Sequence, residues 1–217
     1  AKLLRDTSVA AFYPILFVLV ADIMDTIGRL VFDRIRQKAE KEDNGKHVMT
    51  LPPNFTCKDV RPEAKVTCRN WFYKIASVRE LLPRIYMELA IIRCYHFLQK
   101  GSPLPQLKRL VGMCRGMGDP LAAAYLRSYL TTRGLSLCAP AEKDYLIGML
   151  SDFMPQYGLL MHPDTAARNC YLAYARMPRQ DYLNLMDPAM DWMLHGCARK
   201  AEVPVLKRVM ALGGAAP

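Results

Sequence analysis

The sequence predicts an all-α protein, and three observations carry that reading. The stretch WFYKIASVRELLPRIYMELAIIRCYHF (71–97) spaces Trp71, Ile75, Val78, Leu82, Ile85, Leu89 and Ile92 by alternating steps of four and three. That spacing lines large apolar side chains along one face of an α-helix. Prolines recur at 103, 120, 140, 163, 188 and 204, 16 to 25 residues apart, and those at 103, 120 and 188 follow Ser or Asp. A capping side chain followed by proline is how many helices begin. No alternation of apolar and polar residues is long enough to argue for a strand. Two helices at this spacing occupy about forty residues, the period of HEAT-like pairs. The expected fold is therefore a HEAT-like α-solenoid of stacked antiparallel helices. Residues 1–217 form part of one solenoid, with 39–65 an irregular loop within it.

The first element is the run VAAFYPILFVLVA (9–21), which stops at Asp22. A membrane span needs roughly 20 apolar residues, so this run is too short. Asp22, Asp25, Arg29 and Asp33 then form a polar stripe while Ile23, Ile27, Leu30 and Val31 continue the apolar side. A helix apolar nearly all round at one end and amphipathic at the other is one partly enclosed by neighbouring helices. A charged n-region and a small-residue cleavage site, the marks of a signal peptide, are not convincing here.

Residues 39–65 change character, with a charge-dense AEKEDNGK followed by a segment holding three prolines and no period. This reads as a tolerated, partly disordered surface insertion. Beyond it the 71–97 stripe keeps its phase across Pro83, which favours one kinked helix over two. Glu80, Arg84 and Glu88 stand at i, i+4 on another face, where opposite charges can meet. Ile85 belongs to the apolar stripe and faces the core; Arg84 belongs to the polar line and is free to serve a neighbour or a partner. Further along, Gly116 and Gly118 suit a helix stop before Asp119-Pro120, and Pro140, Pro163, Asp187-Pro188 and Pro204 open later helices.

Chemistry-bearing motifs are weak. Gly116-Met-Gly118 begins like a dinucleotide fingerprint, but Leu121 replaces the third glycine and Pro120 opens a helix instead. His195-Gly-Cys197 and Cys94-Tyr-His96 hint at zinc, yet residues two apart do not share a helical face and no second pair completes a site. Seven cysteines, an odd number without a CxxC pair, read as free thiols in a reducing compartment. Asn54-Phe-Thr56 matches a glycosylation sequon, a pattern frequent by chance. Nothing implies a cofactor or a metal.

Thirty Lys and Arg against twenty Asp and Glu leave a formal charge of +10. That suits nucleic acid, anionic lipid or an acidic protein, and the balance alone separates none of them. RNA-reading repeats place the same residue types at equivalent positions, and no such recurrence is found. A nucleic-acid-binding helical repeat is the less favoured alternative. The chain opens on Ala1 and closes on Gly213-Gly-Ala-Ala-Pro217, which suggests a piece of something longer.

Three stretches together carry a family likeness: FYPILFVLVADIMDTIGRLVFDRI (12–35), NWFYKIASVRELLPRIYMELAIIRC with LVGMCRGMGDPLAAAYLRSYL (70–94 and 110–130), and PAMDW (188–192). They resemble the vacuolar protein sorting-associated protein 35-like family, the large helical subunits of retriever. This family is similar to the large α-solenoid subunit of retromer, which also carries a Pro-Arg-hydrophobic-Tyr run and a later MCRG turn. Here these stand as Pro83-Arg84-Ile85-Tyr86 and Met113-Cys114-Arg115-Gly116. The likeness covers most of 8–133, is faint over 134–186, and returns near 187–200.

The resemblance implies a scaffold, not an enzyme, cytoplasmic and peripheral on the endosomal membrane. It implies an arrestin-fold vacuolar sorting subunit as partner, with Pro83, Arg84, Ile85 and Tyr86 in the region that engages it. It also implies a metallophosphoesterase-fold subunit, bound through a part of the polypeptide absent here. Commander coiled-coil and COMM-domain proteins and a sorting nexin complete the implied assembly.

Overall fold

A computed structural model describes residues 2–42, 44–162, 164 and 170–214. Among these residues the chain is mostly helical, and its β-type pairing is one isolated bridge between Lys41 and His47. The first long helix, α1 (Tyr13–Glu40), carries Pro14 in its first turn, where a missing N–H costs no intrahelical bond. Val20, Met24, Gly28, Val31 and Ile35 form its buried face. At Gly28 the backbone of Ala90 approaches so closely that a Cβ would stand 2.1 Å from the Ala90 carbonyl oxygen. Only glycine permits that crossing. The opposite face leaves Ile15, Val18, Leu19, Ile23 and Leu30 exposed. The expected enclosure of this apolar end is thus met on one side only. No described helix is long and apolar enough to cross a membrane.

The 71–97 stretch is not one kinked helix. It divides into α2 (Pro62–Ala76), a turn over 77–80, α3 (Leu81–Ile91) and a 310 segment (Ile92–Phe97). Pro83 sits in the first turn of α3, where its ring meets no preceding helical carbonyl and its lost N–H is not needed. The apolar phase survives the break because each half has its own core. Leu82, Ile85, Leu89 and Ile92 join a large cluster with α4 (Leu104–Cys114) and α5 (Pro120–Leu137). Ile75 joins a smaller cluster with Phe32, Ile35, Phe55 and Phe97.

Later proline signals divide into three outcomes. Asp119 caps α5 as expected, accepting a hydrogen bond from the Ala122 amide at 2.9 Å. Pro204 lies in the first turn of α9 (Val203–Gly214), and Pro103 immediately precedes α4. Ser102, however, does not cap α4; its Oγ donates to Glu142 Oε1 at 3.0 Å. Pro140 falls in a turn before α6 (Asp144–Met161) and does not open it. Pro188 lies inside α8 (Arg179–Ala198), which follows the short α7 (Cys170–Ala175). The apolar face of Tyr182, Met186, Ala189, Met190 and Met193 runs through that proline and is buried on both sides of it. Continuous burial holds the helix together where propensity alone would break it. Pro163 lies outside the described residues.

The helices stack in order: α1 on α2 and α3, α3 on α4 and α5, α4 and α5 on α6, and α5 and α6 on α8. This is the helical-repeat arrangement of a HEAT-like solenoid. The middle of the stack is α5, buried continuously from Pro120 to Thr131. Between α6 and α8, Lys143 is buried and donates to the carbonyls of Gly196 (3.2 Å), Cys197 (3.3 Å) and Arg199. One side chain thereby satisfies three backbone acceptors at the end of a helix.

Residues 41, 42 and 44–61, between α1 and α2, are irregular, a shorter span than 39–65. Most of them are exposed, yet the segment is anchored in the core. Leu51, Phe55 and Val60 are each at most 3% exposed and belong to the smaller core. Glu40 Oε1 accepts from the Leu51 amide and from Arg36 Nε, both at 3.1 Å, and Arg36 Nη2 donates to the Leu51 carbonyl at 2.7 Å. The connector is tied to the helix it leaves.

Candidate functional site

The four candidate residues sit in the first turn and a half of α3, and the helix distributes them unequally. Pro83, Ile85 and Tyr86 are buried, Ile85 and Tyr86 completely. Arg84 alone of the four reaches solvent, and it is half-buried. Any direct contact with a partner therefore goes through Arg84, while the other three set its position.

The expected Glu80–Arg84–Glu88 line is not an ion-pair ladder. Glu80 precedes the helix with extended backbone and stands 3.7 Å from Arg5. Glu88, one turn past Arg84, is buried and bonded to Arg109 Nη2 of α4. Arg84 Nε is sealed from solvent and has no hydrogen-bond partner among the described residues. Burial lowers the Arg109 pKa, and the nearby Arg84 charge pushes it further down. Two guanidiniums thus share the neighbourhood of one buried carboxylate. The local excess is positive, and the chemistry it offers is recognition of an anionic group.

Behind this turn Tyr86 meets Tyr129 and, through it, Asp25 and Arg133, contacts that sequence reasoning did not foresee. The Tyr86 ring packs 5.2 Å from that of Tyr129, centroid to centroid. Tyr129 donates to Asp25 Oδ1 at 2.7 Å, and Arg133 stands 3.2 Å from the same oxygen. These contacts join α1, α3 and α5. Burial raises the Tyr86 and Tyr129 pKa values well above the ordinary range, with Asp25 adding to the effect on Tyr129. Tyr86 Oη is buried without a hydrogen-bond partner among the described residues. The only signal for these contacts in sequence was that Tyr86 and Tyr129 fall on helical faces.

The weaker motifs resolve as structure. Cys94 is buried and His96 turns outward, its ring bonded to the Phe55 carbonyl at 2.8 Å. Cys197 is buried and His195 is exposed. Among the described residues no group of three or more His, Cys, Asp or Glu could hold a metal ion. Cys57, Cys68, Cys94, Cys114, Cys138 and Cys197 are free thiols. The side chain of Cys170 lies outside what is described.

Fold and site together define a stacked-helix protein with a cationic helix turn at its candidate interface. A family model described as VPS35L matches residues 1–185. A "VPS35 endosomal protein-sorting factor-like" protein of Danio rerio is 42% identical over 210 residues, and one of Homo sapiens is 40% identical over the same length. A "VPS35 endosomal protein sorting factor-like" protein of Dictyostelium discoideum is 40% identical over 215 residues. These alignments cover 97–98% of this chain and 21% of each relative, so the chain spans about a fifth of their length. The chain belongs to the VPS35L family.

Proposed function

We propose that this chain is part of a non-enzymatic scaffold for endosomal protein sorting, of the retriever type. It holds an arrestin-fold subunit through the α3 surface around Arg84, on the cytoplasmic side of endosomes. What carries the reading is family membership, since the relatives are named as endosomal protein sorting factors. The geometry supports it at one point. Arg84 is held by a buried turn, and its neighbour Arg109 already has its carboxylate, so an acidic group on a partner would meet a positioned guanidinium. Arginine of this kind often dominates interface energetics. The mechanism is geometric: stacked helices keep bound partners at a fixed distance, and no covalent step is involved. Contacts with a metallophosphoesterase-fold subunit, with Commander coiled-coil and COMM-domain proteins and with a sorting nexin belong to the same proposal. The first of these uses the longer polypeptide.

The test is calorimetric titration of the arrestin-fold subunit into the parent chain and Arg84→Asp, beside thermal melting of both. The variant is expected to melt near the parent and to bind about tenfold or more weaker, the loss of one charge-assisted contact. Parent-like binding by a folded Arg84→Asp would remove this surface from the interface.

A further inference from the structure

On the far side of α1's distal half, the connector, the 310 segment after α3 and the end of α5 enclose a surface cleft of about 220 Å³. Pro53, Phe55, Leu137 and the edge of Phe32 form its apolar wall, with Ile92 buried behind them; Arg36, Arg93 and His96 are its cationic or titratable members, and among the described residues no carboxylate lines it. The three polar groups are not equivalent. Arg36 is committed to Glu40 and to the Leu51 carbonyl. His96 is committed to the Phe55 carbonyl. Arg93 is exposed, has no carboxylate partner among the described residues, and lies over the Phe32 ring 4.6 Å from its centroid. Stacking fixes the guanidinium plane while leaving the donors around its edge available.

Pockets for drug-sized molecules run to roughly 300–1,000 Å³. This cleft is smaller and suits one or two side chains, not a cofactor. A held guanidinium beside an aromatic wall is complementary to a carboxylate beside an apolar group. A purely phosphorylated ligand would leave the wall unused. The net charge of +10 adds a long-range attraction for an acidic segment. We propose that this cleft binds an acidic peptide segment of a partner protein. An Asp or Glu carboxylate pairs with Arg93, and a neighbouring large apolar side chain packs on Pro53, Phe55 and Leu137, in front of the buried Ile92. The residues are distinct from the α3 turn around Arg84, and the proposal does not depend on that turn's role.

Methyl NMR of Ile92 and Leu137 in the full chain tests it, with acetyl-Glu-Phe-amide and acetyl-Gln-Phe-amide as probes. The acidic probe is expected to shift both methyls saturably, and the neutral probe to bind about tenfold or more weaker. Arg93→Ala, checked for parent-like melting, should show the same loss for the acidic probe. Equal response to the two probes, no response at millimolar probe, or undiminished binding by folded Arg93→Ala would each overturn the proposal. Inositol 1,4,5-trisphosphate shifting the same methyls at lower concentration than the acidic peptide would overturn it in favour of a phosphorylated headgroup. The probe comparison uses the unmodified protein and stands even if Arg93→Ala fails to fold.

Discussion

Arg84 and Ile85 are adjacent in sequence and opposite in surroundings, so they should fail differently. Ile85 is completely buried between α1 and the later helices. Ile85→Ala removes packed atoms and leaves a cavity, costing ~2–5 kcal/mol. It weakens partner binding only as far as it weakens the fold. Among the described residues Arg84 forms no ion pair for Arg84→Asp to remove, because Glu88 already belongs to Arg109. Its fold cost should stay under about 1 kcal/mol, as for partly exposed positions outside a network. Urea melts of both variants check the contrast. An Arg84→Asp chain destabilised as much as Ile85→Ala would make Arg84 a structural residue. The apolar stripe made the burial of Ile85 legible in sequence. The partner of Glu88 was not, because i, i+4 spacing nominates Arg84 while the structure brings in Arg109 from the next helix.

Helix boundaries show where one sequence signal supports two structures. Proline marks a helix start only when the preceding turn is absent, and the residue itself does not say which case holds. At Pro83 an unbroken apolar phase suggested continuity, and the helix in fact begins two residues earlier. At Pro188 a preceding Asp suggested a start, and the helix in fact runs through. What decides each case is whether the flanking turns bury against the same neighbours, which is tertiary information. Pro188 is exposed, so Pro188→Ala should lose no packing and restore a backbone bond to Asn184. We expect a higher melting temperature and a gain of about 1 kcal/mol or more; a lower melting temperature would mean the interruption is built into the packing of α8. The connector poses the converse problem. Leu51, Phe55 and Val60 are core residues without helical or strand period, so nothing in the pattern announced them. Phe55 touches Phe32 of α1 and both His96 and Phe97 of the 310 segment. Phe55→Ala should cost ~3–5 kcal/mol, measured as a fall in the urea midpoint. A loss below the range for surface positions would return the connector to the status of a tolerated insertion.

Across the whole molecule, the stack is held partly by buried phenols and thiols that must stay protonated. Burial pushes Cys68 and Cys114 up to about 12, Cys197 to about 11 and Tyr125 to about 12, from ordinary values of 9.0 for the thiols and 10.0 for the phenol. Tyr13, Tyr86, Tyr129 and Tyr145 are raised further, each chiefly by burial. In every case the folded value lies above the unfolded one. Unfolding therefore releases protons once the pH exceeds the unfolded value, and the folded state loses stability as pH rises. The contribution is complete below about pH 9 and disappears as pH climbs through 11 to 12. At pH 10.5 a fully protected thiol, one and a half pH units above its unfolded value, accounts for about 2 kcal/mol. Several such groups acting together are comparable with the roughly 5–15 kcal/mol that holds an ordinary domain folded. Urea melts from pH 8 to 10.5, in the presence of reductant, should show the midpoint falling steadily above pH 9. Tyrosinate absorbance should then appear in the same transition as loss of helical circular dichroism, since the phenols at the α1–α3–α5 junction ionise only when the stack opens. Tyrosinate forming near pH 10 for most of the phenols while the helices persist would show that water reaches that junction in the folded protein.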